Sequence, residues 1–415
     1  MASTRTFQAM LNDYLTYDLL VEELVKRDWL LTNIEKDNGW KGGPLIVPFS
    51  GAAASSVAFG ALSASNDVAE DAYVRGEVSA PKEAWGTMIF NHRDIMEHDG
   101  RVMEKSFLKI LPDTVDRFMD RFKNVVSTNL LNGAHFAKLT SDSTANDGNI
   151  VVDRPERFDI GQKVLVDDDN SSPATGYVKT ININTSTINL VTTRGGSTVV
   201  DFSANNMTVA QNAKCYYEGA QADSFSNLRD ALLSAANGGS STLYGQTKTA
   251  YPYLQAINVS GSSVSASNIL DKLFDGYTTI RKVGKGNPDT LVMSYKNLGS
   301  VLKVLEINKG SFNVMPNSQK ASVFGWTEIV VGGVKGMLKI VGVQECDDDV
   351  IFYLDMRAMK FHSNGFFRKR IAPDGKHYFE QRATTGYSYL VDICLFGDLV
   401  VSRPSYCGIM YSISY

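Results

Sequence analysis

The sequence predicts an α+β body interrupted by an all-β insert. Three observations carry this. "LPDTVDRFMDRFKNVVSTNLLNG" repeats apolar residues every three and four positions, as an amphipathic helix does. Between Val152 and Glu218, short runs alternate apolar and polar residues between closely spaced turn signals. From Ser226 helical and strand patterns mix, and strands dominate from Trp326 onward.

The chain has 415 residues, enough for two or three domains or for one large domain carrying an insertion. With 43% hydrophobic and 21% charged residues, its composition is that of an ordinary globular protein. A net charge of −4 is a weak field, which argues against coating nucleic acid by phosphate neutralisation. Cys215, Cys346, Cys394 and Cys407 form no CxxC pair and read as free, buried thiols of a reducing cytoplasm. No signal peptide is recognisable, and no apolar run is long enough to predict a membrane span.

In the first segment Phe7, Leu11, Tyr14 and Leu15 stand at helical spacing. One or two helices are expected before the breakers Gly39, Gly42, Gly43 and Pro44. Leu45 to Phe49 and Trp85 to Phe90 are strand-like flanks of a longer stretch. Within it, Gly51 to Ser65 is almost entirely glycine, alanine and serine. Such a composition cannot bury enough apolar area to hold itself in shape. It suits a surface loop, or a two-stranded arm ordered against another subunit. In the long helix Leu111, Val115, Phe118, Met119, Phe122, Val125, Val126 and Leu130 form one stripe. Pro112 suits its first turn and Gly133 its stop, giving a rod of roughly 30 Å.

The clearest strand signal is "GYVKTININTSTINLV". Ile181 and Ile183 share a face before the connection Asn184 to Thr187, and Ile188 and Leu190 share one after it, so a hairpin is expected. With "KVLV", "KCYY" and "STVV" it would complete a small barrel or sandwich over 152–218. A module placed within a connection leaves and re-enters its host at nearly one point, so its ends should be neighbours. Next, "SNLRDALLSAAN" and "NILDKLFDGYTTIRKVG" read as helices, the second with a stripe of Ile269, Leu270, Leu273, Phe274, Tyr277 and Ile280. "DTLVMS" reads as a buried strand, and Ser294 can cap the helix "YKNLGSVLKVLE". The strands "TEIVVGG", "GMLKIVGV", "DVIFYLDM" and "HYFEQRATTGYSYLVDICLF" follow.

No catalytic, cofactor-binding or metal-binding residue emerges. "VGKGNPD" lacks the Ser or Thr of a phosphate-cradling loop, and "VGGVKG" reads as a glycine-rich hairpin. Asp167 to Asp169 and Asp347 to Asp349 lack the glycine and distal glutamate of a calcium loop, and read as solvated turns. His92, His98, His135, His362 and His377 show no ligand spacing. "FFRKR", Phe366 to Arg370, is the one basic-aromatic cluster, and the "PDGK" after it makes a solvated loop end the better reading.

This order of elements resembles the major capsid proteins of tailed bacteriophages, which share the Hong Kong 97 fold. "GGPLIVPFS" with "GAAASS" is similar to the entry of that family's extended loop, and the long amphipathic helix to its spine helix. "DTLVMSYKNLGSVLKVLE" and "MLKIVGVQECDDDVIFYLDMRAMKF" resemble segments of its axial domain and of the return to the peripheral one. The resemblance implies an N-terminal arm (1–42), an extended loop (43–84) and a peripheral domain (85–151, completed by about 350–395). It implies a β-barrel insertion domain (152–218) and an axial domain (219–349, completed by about 396–415). It further implies a structural virion protein without enzymatic activity or cofactors. Its copies would form the pentamers and hexamers of an icosahedral shell around double-stranded DNA, held without sequence specificity. The virion would be its location after synthesis in the bacterial cytoplasm, with portal, scaffolding and decoration proteins as partners and no membrane. An encapsulin-type compartment shell is the alternative, disfavoured by the insert. A tail or baseplate protein and a cytosolic enzyme are more distant ones.

Overall fold

The computed structural model describes residues 28–414 other than 42, 51–72, 79, 92–103, 144, 169–172, 204–206, 210–212, 285, 308–327, 334–335, 365–366, 370–378 and 384–385. The helices expected around Phe7 to Val25, the stretch Gly51 to Ser65, and His92, His98 and His377 lie outside the described residues. The chain divides into two compact units. One comprises Lys82–Phe225 with Glu380–Asp392; the other takes the described residues through Pro81, Ser226–Phe379 and the residues from Ile393.

A one-turn helix α1 (Trp29–Asn33) is capped by Asp28, whose carboxylate accepts from the Leu31 amide at 2.7 Å. Strand β1 (Glu35–Asp37) follows, then β2 (Leu45–Ser50) and β3 (Tyr73–Val78), which pair antiparallel as a separate two-stranded ribbon. The flank of β2 is therefore Tyr73–Val78 and not the expected Trp85–Phe90. The latter run lies in β4 (Lys82–Asn91), which joins another sheet.

In the first unit the helix α2 (Glu104–Asn132) has 29 residues, about 43 Å of rise. It starts a full two turns before the expected point, so Pro112 lies within it and not in its first turn. Its apolar stripe is buried at Val115, Met119, Phe122, Val126 and Leu130. Gly86 of β4 packs on this stripe: a Cβ there would stand 2.5 Å from Phe118 Cζ and 2.9 Å from Phe122 Cδ2.

Where the insert is expected lies an antiparallel sheet of β5 (His135–Lys138), β6 (Asn149–Val151), β7 (Lys163–Asp167), β8 (Ala174–Asn182), β9 (Thr187–Val191) and β10 (Lys214–Tyr217). The strand order is β5-β10-β7-β8-β9-β6. Two of these strands precede Val152, so the expected boundary falls inside the sheet. A closed barrel is not confirmed. The ladder is an open path whose edges meet at one bridge, Leu139 to Val152, where the Thr140 amide donates to Val151 O at 2.9 Å. "STVV" contributes a single bridge from Val199 to Val191 instead of a strand.

The core of this sheet gathers Phe136, Val164, Val166, Val178, Ile188, Leu190 and Phe202. The hairpin β8–β9 is present, and its turn is Ile183–Ser186. A register shift between Val178 and Thr180 changes the phase of β8. Before it Ala174, Gly176 and Val178 are buried in alternation; after it Ile181 packs partly on the core, and Ile183, in the turn, is 66% exposed. The expected shared inward face of Ile181 and Ile183 does not form.

The second unit continues with a short helix α3 (Leu228–Leu232), shorter than the expected "SNLRDALLSAAN", and the tiny hairpin β11 (Thr242–Leu243) and β12 (Gln246–Thr247). Strand β13 (Ile257–Ser260) is followed by α4 (Ile269–Val283), which buries Ile269, Leu270, Leu273, Tyr277 and Ile280 as its periodicity requires. Strand β14 (Thr290–Met293) is buried at every position. Helix α5 (Tyr295–Ile307) begins after Ser294, whose hydroxyl accepts from the Asn297 amide at 3.4 Å.

Strands β15 (Glu328–Gly333) and β16 (Gly336–Gly342) form the glycine-rich hairpin. With β17 (Ile351–Leu354), β13, β14 and the later β22 (Gly408–Tyr411) they make a mixed sheet, ordered β13-β22-β17-β14-β16-β15. Helices α4 and α5 share its core, centred on Leu273, Leu291, Val301, Ile340 and Tyr353. Strands β18 (Met359–His362), β19 (Phe367–Lys369), β20 (Phe379–Ala383) and the 16-residue β21 (Gly386–Val401) lie between β17 and β22. Residues of β21 belong to both units. The class is α+β.

Candidate functional site

The ribbon is the element whose placement asks for a function. Its strands alternate: Val47, Phe49, Gly76 and Val78 are buried, whereas Ile46, Pro48, Arg75 and Glu77 are exposed. The buried face meets the β11–β12 hairpin. Tyr244 and Gly245 form the two-residue loop there, both with positive φ, 50° and 77°. Glycine or asparagine suits that conformation; tyrosine does not.

The Tyr244 side chain explains why the turn tolerates it. Its ring stacks on Phe49 with centroids 6.1 Å apart and planes 6° from parallel, and Phe49 also stacks on Tyr253 at 5.9 Å. The Tyr244 hydroxyl accepts from the Val401 amide at 2.7 Å and donates to Leu399 O at 3.4 Å. Burial pushes this phenol above its usual range, so it stays a donor at any physiological pH. From the ribbon, the Glu77 amide donates to Tyr244 O at 2.9 Å, and Gln246 Nε2 donates to Arg75 O at 2.9 Å. Gly76 permits this approach: a Cβ there would lie 2.5 Å from Phe49 Cε2 and 3.1 Å from Tyr244 Cβ. Sequence reasoning missed Tyr244. The available signal was Tyr244-Gly245 between two short extended pairs, a two-residue hairpin pattern.

Perturbed titratable groups mark functional sites often enough to be checked one by one. Two of them, Arg229 and Lys248, stand at α3. Arg229 pairs with Asp349 at 2.7 Å and with Asp347 at 3.3 Å. Burial alone would lower its pKa; the two carboxylates, Asp349 foremost, more than offset this and raise it. Asp347 to Asp349 is therefore no solvated turn: Asp347 is 6% exposed, and Asp348 O accepts from Asn297 Nδ2 at 3.0 Å. Lys248 is buried, and its pKa is pushed down to about 8 by that burial. Its ammonium donates to Asp230 O and, at 2.8 Å, to Leu233 O. Asn258 Nδ2 donates to Leu232 O at 2.9 Å, and Asp398 accepts from the Ser226 amide and hydroxyl. These side chains satisfy the ends of one short helix and its entry. They hold backbone in place and converge on no common reacting atom.

The remaining sequence candidates stay apart. Asp167 lies in β7 and accepts from Gln221; Asp168 is buried, and Asp169 is outside the described residues. His135 sits in β5. His362, in β18, faces Asp37 at 3.3 Å, and burial lowers its pKa more than that carboxylate raises it. All four cysteines are free and buried, and burial pushes the Cys407 thiol up to about 12. Phe367–Lys369 is a strand paired with Leu395 to Ile393 of β21, so the loop end expected at "FFRKR" is corrected; "PDGK" is outside the described residues. Among the described residues no cluster of three metal-ligating side chains occurs, and no helix is long and apolar enough to cross a membrane.

No protein-family model and no curated protein matches the chain. Among solved structures it is similar to the capsid asymmetric unit of cyanophage A-1(L), at 11% identity over 92% of this chain and 91% of that one, with a TM-score of 0.46. A chain of Mycobacterium phage Adephagia matches at 9% identity over 92% and 89%, with a TM-score of 0.44. The holo-SrpI encapsulin complex from Synechococcus elongatus PCC 7942 matches at 7% identity over 93% and 87%, with a TM-score of 0.40. At these scores they stand as likenesses.

Proposed function

We propose that the chain is a coat subunit of the Hong Kong 97 type, whose copies assemble into an icosahedral shell around a double-stranded DNA genome. The observation that carries this is the ribbon: a two-stranded element, paired with no other strand among the described residues, that carries a glycine-, alanine- and serine-rich stretch between its strands. A lone subunit gains little from such an element, whereas a closed shell gains surface burial from segments laid on neighbours. The 29-residue helix and the mixed sheet covered by two helices supply the peripheral and axial bodies of this reading. The sheet β5–β10 supplies its insertion domain, now starting near His135. The protein has a structural role with no turnover of its own, in the virion, with portal, scaffolding and decoration proteins as further partners.

The test is electron microscopy of purified full-length protein, with and without co-expressed viral proteins. Closed particles of megadalton mass are expected. Particles filled with a protein cargo in place of DNA would assign a compartment shell. A monodisperse monomer under every concentration and salt tried would overturn the reading.

A further inference from the structure

Tyr244 sits where a tyrosine is strained, and a strained residue persists only when its surroundings over-determine it. Here every contact that holds it points in one of two directions. Its carbonyl and ring face the ribbon, through the Glu77 amide and Phe49. Its hydroxyl faces β21, through Val401 and Leu399. We propose that Tyr244 is a positioning residue that rivets the β2–β3 ribbon to strand β21, fixing the ribbon's pose in the free subunit before a second copy touches it.

Two features make the pose specific. Phe49 and Gly76 of the ribbon close on Tyr244 together, the one by a near-parallel stack and the other with a Cβ position only 3.1 Å from Tyr244 Cβ, so the ribbon sits flush on the hairpin at this one place. The Tyr244 hydroxyl is bound to two backbone groups of β21, one donor and one acceptor, which sets the ring's tilt. Pre-ordering of this kind lowers the entropy lost on association. Its use in assembly rests on the coat-subunit reading; the rivet itself does not.

The experiment is hydrogen exchange on full-length protein, dissociated to subunits where it assembles, comparing Tyr244→Asn, Tyr244→Phe and Gly76→Ala with the parent. Asparagine tolerates positive φ, so Tyr244→Asn relieves the turn while removing ring and hydroxyl. The Glu77 and Val401 amides should exchange at least about tenfold faster in it, with Leu291 of β14 unchanged. Tyr244→Phe should speed Val401 alone. Gly76→Ala keeps the tyrosine and should speed Glu77 by wedging Phe49 away, which covers the case in which Tyr244→Asn fails to fold. Unchanged Glu77 exchange in Tyr244→Asn, or in Gly76→Ala where the former is unfolded, overturns the rivet. Absence of particles from the parent protein would overturn the coat reading alone.

Discussion

Arg229 and Asp349 are joined fork to fork, Nη2 to Oδ2 at 2.7 Å and Nη1 to Oδ1 at 3.2 Å. The pair ties α3 to the connection between β16 and β17, with Asp347 as the third member. Removing the cation would take an ion-pair partner from the buried Asp347 carboxylate. Arg229→Ala should therefore cost about 3 kcal/mol, read as a lower urea midpoint. Arg229→Lys should recover only part of this, because an ammonium cannot make the paired bonds. A loss well under about 1 kcal/mol would mean the pair behaves as an exposed one.

Lys248 gives a pH prediction. Its folded pKa, about 8, lies below its ordinary value of 10.5, so the charged form is penalised by folding. Stability should rise as pH climbs from about 8 towards 10.5, by up to about 3 kcal/mol relative to a protein lacking the group. Lys248→Met should abolish this rise while lowering stability at neutral pH, since the Asp230 and Leu233 carbonyls lose their donor. Denaturant titrations of both proteins across that window decide it; parallel curves would refute the assignment.

Gly86→Ala should wedge β4 away from α2, because the added methyl group meets Phe118 and Phe122 at less than van der Waals distance. A loss of about 1–3 kcal/mol is expected. The double variant with Phe118→Leu should regain much of it, as measured by thermal unfolding.

In the insert, Ile188→Asp and Ile183→Asp should behave as opposites. Ile188 is fully buried, so a charge there should cost more than about 4 kcal/mol and unfold the sheet. Ile183 is mostly exposed in the turn, so the change there should stay within about 0.5 kcal/mol. Backbone amide spectra of the full chain would separate the two. Equal damage at both positions would mean that the turn is buried.

What the sequence revealed was whatever one local period encodes. The stripe Leu273, Tyr277, Ile280 of α4 and the buried run of β14 lie where their spacing places them. Helix α2 was legible along its stripe but not at its start, since Pro112 reads locally as a beginning. Partners distant in the chain were not legible. Asp347 looks like a solvated turn because Arg229 stands 118 residues away. The place of Tyr73–Val78 as the ribbon's second strand was not legible either, since its Gly76 is packed by Phe49 and Tyr244, which no window around it contains. The phase change in β8 was hidden for a related reason: a bulge is fixed by its partner strand, here β9, and leaves alternation intact on either side.

The first and last strands of the β5–β10 sheet, β5 and β10, are hydrogen-bonded neighbours, with Ala137 opposite Cys215 and Lys138 opposite Lys214. Two leads that emerge side by side impose no span on what they join. The loop-closure penalty for whatever lies between them grows only logarithmically with length. Sequence beyond this one strand pair can therefore be lengthened, shortened or exchanged with little change in the separation of the two leads. Variation among close relatives of the chain should accumulate there first, and foreign modules with adjacent termini should be accepted there.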